Sequence, residues 1–197
     1  MYQIILDSSN TDLLVGLAKD NELIDVICYE AWQRQSEMMV SELDNIMKRN
    51  NVTRKDIDDI YCGIGPGSYT GVRISLTIAK TMSLALNIPV HAISSLHMMK
   101  DKDKPTICLI NARSNRSYIG VFKGSEIIMK DCILTNDEVR AYINEHPDYS
   151  LSGDIAYLKL ENKESIKANM ALEMLTLKDV YQGQIDTLGL KPIYLKD

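Results

Sequence analysis

Four glycines, Gly63, Gly65, Gly67 and Gly71, cluster around Pro66, and the chain then runs on through Leu86 without another Gly or Pro. A tight loop feeding a helix N-terminus lets the backbone approach a ligand closely, and unpaired first-turn N–H groups with the helix dipole favour an anion there. The same residues equally describe a turn that needs small side chains to pack. The spacing is not that of either common nucleotide loop: Val72 and Arg73, not Lys-Ser, follow Gly71, and Thr70 stands where G-x-G-x-x-G needs its third glycine. Ser68 follows Gly67 but does not sit in a G-x-S-x-G elbow. His91 and His97 are six apart, on different faces of a helix, and so lack the i, i+4 spacing of helical metal ligands. Cys28, Cys62, Cys108 and Cys132 form no C-x-x-C pair and read as reduced and mostly buried.

Such a loop must be held between a strand and a helix. Residues 60–63 read as the strand and 70–86 as the helix, where Val72, Leu76, Ala79, Met82 and Leu86 form one apolar stripe and Ile74, Ile78 and Ala85 a second on another face. A helix apolar on two sides must be covered on two sides, by its own domain or by another subunit. Asn87, Ile88 and Pro89 break it, and 90–93 returns as a strand, giving the right-handed crossover unit of a parallel sheet. Ahead of it, runs at 2–6, 13–18 and 23–29 read as an antiparallel meander. Residues 34–48 read as a helix with Met39, Leu43, Ile46 and Met47 on one stripe, which Met38 widens.

The string G-I-G-P-G-S-Y-T-G-V-R-I-S-L-T-I-A-K, followed by N-I-P-V and I-S-S-L, closely resembles the signature of the TsaB (YeaZ) family, bacterial proteins that take part in making threonylcarbamoyladenosine on tRNA. The resemblance implies an α/β fold of the actin-like, Hsp70-like ATPase (ribonuclease H-like) type in two lobes, the second reduced. The first lobe would span 1–100 with the glycine loop, and the second 101–197, its last helix and tail returning to the first. Asp7 and Ser8 resemble that fold's first phosphate turn, and Gly153 with Asp154 the second. The other reading of Asp7 is a turn residue whose carboxylate caps a backbone N–H. The phosphate-loop-like set is then Asp7, Ser8, Gly65, Pro66, Gly67, Ser68, Tyr69, Thr70, Gly71 and Arg73, open to a ligand or a partner contact.

The chain also departs from the family pattern. Gln35, Ser36 and Glu37 replace H-S-E, Asn111 replaces the Asp of D-A-R, and Ser95 and Met99 stand where the catalytic paralogue TsaD has its two metal-binding histidines. The end K-P-I-Y-L-K resembles the family's P-x-Y-L-R terminus.

The net charge of −5 argues against a protein that grips nucleic acid by itself, so tRNA would be held by a partner. The N-terminus has no basic region, and Asp7 interrupts its apolar run, so neither a signal peptide nor a membrane span is expected and the protein is expected to be cytoplasmic. A charged segment at 100–105 reads as a hinge. Beyond it, 106–110, 117–122, 127–129, 133–134 and 149–153 read as strands, with 136–144, capped by Thr135, and 168–177 as helices. The sequence shows no internal repeat.

The expectation is a non-catalytic scaffold that binds and activates TsaD. The docking surface would be a four-helix bundle built from 34–48 and 70–86, centred on Met39, Leu43, Ile46, Ile74, Ile78 and Ala85. The same surface would pair two copies when the chain is alone, and the TsaE ATPase is a further partner of the assembly. No catalytic residue, metal or resident cofactor is expected, with ATP or ADP only at the partner junction. The alternative is a weak ATPase or sugar-kinase-like enzyme in which Asp7 and the two glycine turns clamp phosphates.

Overall fold

A computed structural model describes residues 1–31 and 33–195, and its strands fall into two halves built to one plan. Strands β1 (Tyr2–Asp7), β2 (Asp12–Lys19) and β3 (Glu22–Glu30) form an antiparallel meander. Helix α1 (Gln35–Arg49) leads to β4 (Ile57–Gly63), parallel to β1, and helix α2 (Tyr69–Leu86) leads to β5 (Val90–Ile93), parallel to β4. The first sheet therefore runs β3-β2-β1-β4-β5.

The second half repeats this order. Strands β6 (Thr106–Arg113), β7 (Arg116–Lys123) and β8 (Glu126–Thr135) make the meander, α3 (Asn136–Glu145) crosses to β9 (Ser150–Gly153), and β10 (Ser165–Ile166) adds beside it. Where the first half has α2, the second has only a 3-10 turn, Ala156–Leu158, so it is the reduced copy. The repeat is one of strand order, which leaves no trace in residue identity. Helix α4 (Met170–Thr176) follows, started by Asn169, whose side chain accepts from the Leu172 N–H.

Period-two alternation places the layers. Ile4 and Leu6 of β1 face one core with Met39, Leu43 and Ile46 of α1 and Leu76 and Ala79 of α2, while Ile5 faces the other way. In β6, Cys108 and Ile110 join Ile5 in a central core that α4 enters through Ala171, Met174 and Leu175, and Ile107 and Leu109 face an outer core under α3. The two sheets thus share a hydrophobic layer, with α1 and α2 outside one and α3 outside the other.

Strands β4 and β8 and the charged segment depart from expectation. Strand β4 starts three residues early, at Ile57, because the buried carboxylate of Asp59 is taken up by His91 Nε2 at 3.2 Å and Lys178 Nζ at 3.3 Å. Strand β8 is continuous through Lys130 and Asp131, since the Ser94 hydroxyl donates to Asp131 at 2.6 Å. The charged segment after Met99 is anchored at its first residue: Lys100 is buried against the Glu173 carboxylate and donates to Thr176 Oγ1 at 3.2 Å.

Candidate docking groove and glycine loop

The glycine loop is packed by the chain itself. Ser68 donates its N–H to the Ser9 carbonyl at 2.7 Å, and the Ser8 hydroxyl donates to the Gly71 carbonyl at 2.8 Å. A Cβ added at Gly67 would lie 2.2 Å from the Ser9 carbonyl oxygen, and one at Gly63 2.0 Å from Asp7 Oδ1. These glycines admit the β1–β2 turn, so the close backbone approach they permit is already used. Gly65 is also the one with positive φ, 96°, and its N–H donates to Ser95 Oγ at 2.9 Å. At the helix start, Ser68 accepts from the Gly71 N–H through its side chain, an N-cap.

Asp7 lies beneath this turn, 3% exposed. One of its oxygens accepts from the Ser9 N–H and hydroxyl at 3.1 and 3.0 Å, and the other from Ser95 Oγ at 3.5 Å. Burial pushes its carboxyl up to about 6, against the pull of the serine donors. The carboxylate thus caps the Ser9 N–H. Gly65 and Pro66 are buried with it, Gly67 and Ser68 are half-buried, and Tyr69, Thr70 and Arg73 reach solvent. At the second turn, a Cβ on Gly153 would stand 2.2 Å from both the Leu109 carbonyl oxygen and Met99 Cε.

The open concavity lies on the outer side, between α1 and α2. Ser36 and Val40 of α1 face Tyr69, Thr70, Arg73, Ile74, Thr77 and Ile78 of α2 across a groove of about 450 Å³. Val40 is 57% and Tyr69 59% exposed, and Ile74 and Ile78 are half-buried. This corrects half of the expected interface: Met39, Leu43 and Ile46 pack on the first sheet in the chain's own core, because the Met-rich stripe of α1 is its inward face. Ala85 is exposed at the far end of α2. Val40 lies off the apolar stripe of its helix, so periodicity gives no signal of it. Tyr194 stacks on Tyr69 at 5.4 Å between ring centroids, a contact that no local pattern in the sequence signals.

Over 127 residues the chain is 29% identical to the tRNA threonylcarbamoyladenosine biosynthesis protein TsaB of Bacillus subtilis, covering 62% of this chain and 56% of that protein. Over 221 residues it is 24% identical to the protein of the same name from Haemophilus influenzae, covering 98% and 93%. A family model for TsaD, tRNA N6-adenosine threonylcarbamoyltransferase, matches residues 26–171. The chain belongs to this family, in its TsaB (YeaZ) group. YeaZ from Pseudomonas aeruginosa has the same fold, with a TM-score of 0.82 at 19% identity over 98% of this chain and 99% of that one.

Within the TsaB frame, three of the substituted positions, Gln35, Ser95 and Met99, make contacts inside the chain, while exposed Asn111 accepts from the Arg113 N–H at 2.8 Å. Gln35 donates to the Asn10 carbonyl at 3.1 Å and the Thr11 carbonyl at 3.3 Å, tying α1 to the first turn. Ser95 bridges Gly65 and Asp7, and Met99 is buried in the central core. His91 and His97 lie on β5 and a 3-10 turn, not on one helix. Both bond Tyr181: His91 Nδ1 donates to its carbonyl at 2.7 Å, and its hydroxyl lies 3.0 Å from His97 Nδ1. Among the described residues, no group of three or more His, Cys, Asp or Glu is placed to hold a metal ion. No described helix is long and apolar enough to cross a membrane. Lys196 of the terminal motif lies outside the described residues. At both glycine turns an added Cβ would meet the chain's own backbone, the Ser9 carbonyl at Gly67 and the Leu109 carbonyl at Gly153.

Proposed function

We propose that the chain takes part in tRNA threonylcarbamoyladenosine biosynthesis as a docking subunit, binding the catalytic paralogue TsaD along the α1/α2 groove and stabilising its active conformation. The carrying observation is the division of the glycine-loop region. Everything beneath the loop is closed by the chain's own atoms, while the α2 face beside it is apolar and open. The names of the TsaB relatives and the match to the TsaD family support the assignment. Ile74 and Ile78 then meet the partner, and Ala85 extends the contact. Without TsaD, a second copy would occupy the groove as an isologous dimer. tRNA is held by the partner, because this chain carries net negative charge. TsaE would join the assembly, with ATP or ADP at its junctions.

Reconstitution tests the assignment. Purified TsaD paralogue should transfer threonylcarbamoyl to tRNA only when this chain is added, and the chain alone should show no turnover. The rival weak ATPase reading predicts the reverse: micromolar binding of ATP with magnesium to the isolated chain, with hydrolysis, in a titration without partners.

A further inference from the structure

After α4, the described residues 177–195 form no helix or strand, yet they return along the first sheet as a strap held at separate points. Lys178 Nζ reaches Asp59 at 3.3 Å, and Gln184 exchanges both backbone hydrogen bonds with Val90 of β5, each at 2.9 Å. Lys80 Nζ donates to the carbonyls of Leu188 and Leu190, each at 3.1 Å, and the Ile193 N–H donates to the Ile64 carbonyl at 2.8 Å. Between these points Ile185 and Leu188 face solvent. A segment tied in this way opens at lower free energy than the sheet beneath it.

His91 stands under the start of the strap. Its ring is 3% exposed, stacks on Tyr61 at 4.5 Å between centroids, and is covered by Gly183, whose added Cβ would lie 2.9 Å from Nε2. Both ring nitrogens meet acceptors: Nδ1 the Tyr181 carbonyl at 2.7 Å, and Nε2 the Asp59 carboxylate at 3.2 Å. A carbonyl and an ionised carboxylate only accept, and a neutral imidazole has one N–H, so the imidazolium is the form that satisfies both. Asp59 is the matching anion. Burial would raise its carboxyl, but the hydrogen bonds and charges of His91 and Lys178 hold it below its ordinary range. The other titratable groups around the ring are Tyr61 on β4 and Lys178, Asp179 and Tyr181 on the strap. Burial pushes both phenols up, Tyr181 to about 12, so neither changes charge below pH 9.

We propose that His91 is a proton-operated latch for this strap: as imidazolium it holds the Tyr181 carbonyl and Asp59 at once, and on losing its proton it releases the strap from β5. Histidine ordinarily changes charge between about pH 5 and 8. The neutral ring keeps one N–H, so either the Tyr181 carbonyl or the Asp59 carboxylate then faces a lone pair in a buried contact. Closing the strap therefore takes up a proton, and the closed form is favoured in acid and weakens as pH rises. Release uncovers the outer edge of β5, the last strand of its sheet, where Gln184 bridges to Val90. The latch does not depend on where a partner docks.

Hydrogen–deuterium exchange of the full chain from pH 6 to pH 9, corrected for the intrinsic rise of exchange with pH, tests the latch. Protection of 181–193 should fall by up to about tenfold per pH unit, the slope of one proton, while β1 and β7 keep theirs. His91→Gln, with a donor at one end only, should show the weak strap protection of high-pH wild type at every pH. Asp59→Asn, which removes the anion, should bring the loss to lower pH. Asp7, whose carboxyl sits at about 6 beneath the glycine loop, is intact in His91→Gln, so that variant separates the two groups. A second measurement needs no variant: in wild type carrying nitrogen-15 histidine, the His91 resonances at pH 6 should show both ring nitrogens protonated. Strap protection that stays constant over the range, a pH-dependent loss that persists in His91→Gln, or a His91 ring with one bare nitrogen at pH 6 would each overturn the proposal. Loss spread over the whole chain would overturn it too, because the strap would then not open by itself.

Discussion

A Cβ built on Gly71 would stand 1.9 Å from the carbonyl oxygen of Ser8, while the Ser8 hydroxyl donates back to the Gly71 carbonyl at 2.8 Å. The two residues are 63 apart in sequence, and their contact fixes the start of α2 against the first turn of the first sheet. Replacing a helical Gly by Ala ordinarily stabilises by about 1 kcal/mol. Here backbone would have to move, so Gly71→Ala should instead destabilise by roughly 2–4 kcal/mol in urea denaturation. Gly189, with nothing within 4 Å of its added Cβ, is the control, and Gly189→Ala should stay within about 0.5 kcal/mol of wild type.

Two buried groups should oppose each other in acid. The Asp7 carboxyl sits at about 6, above its ordinary 3.8, so between those pH values the folded chain keeps a proton that the unfolded chain releases. Stability from Asp7 is thus present below about pH 4 and lost as pH rises through about 6. His97 runs the other way. Burial holds it down at about 4, and with Nε2 donating to the Gly124 carbonyl at 3.0 Å, Nδ1 is left to accept from Tyr181. Its contribution is present above about pH 6.5 and lost as pH falls towards 4. Each shift is worth on the order of 3 kcal/mol. Relative to wild type, Asp7→Asn should therefore lose ground between pH 7 and pH 4, and His97→Gln should gain ground. A difference in unfolding free energy that stays constant across that range would contradict the assignment.

The Lys100–Glu173 pair links the segment after β5 to α4 inside the protein. Removing one partner leaves a buried charge uncompensated, so Lys100→Met or Glu173→Gln should each cost about 3–5 kcal/mol. The double variant carrying both Lys100→Met and Glu173→Gln should cost much less than the sum. Additive losses in the cycle would show that the two side chains do not interact.

The two faces of the helical layer should separate by truncation. Ile46→Ala empties a fully buried site and should cost roughly 2–4 kcal/mol, while Ile78→Ala should cost about 1 kcal/mol or less. Thermal melts of the two variants suffice to compare them.

What the sequence disclosed follows from the range of the forces involved. The meander β1 to β3, helices α1 and α2 and the parallel return to β5 were legible because periodicity is local. Asp59 and Asp131 hid the true extents of β4 and β8, because the groups that accept burial of their carboxylates come from 32 and 37 residues away. Periodicity also shows that a helix has an apolar stripe without showing what covers it. Hence the stripe of Met39, Leu43 and Ile46 suits an interface as well as the core it forms, while Val40, off that stripe, gives no periodic signal of the groove. The glycines were legible as a demand for close approach, but the visitor is Ser8 and Ser9 of the same chain.

The proposed docking of TsaD on the outer face of α1 and α2 has a direct readout. Hydrogen–deuterium exchange of this chain, free and saturated with the TsaD paralogue, reads that face directly. Added protection should concentrate in 36–40 and 69–78 and extend to the tail around Tyr194, leaving β8 and α3 unchanged. Protection over β8 or α3 with none on α2, or a mixture in which exchange does not change at all, would contradict it.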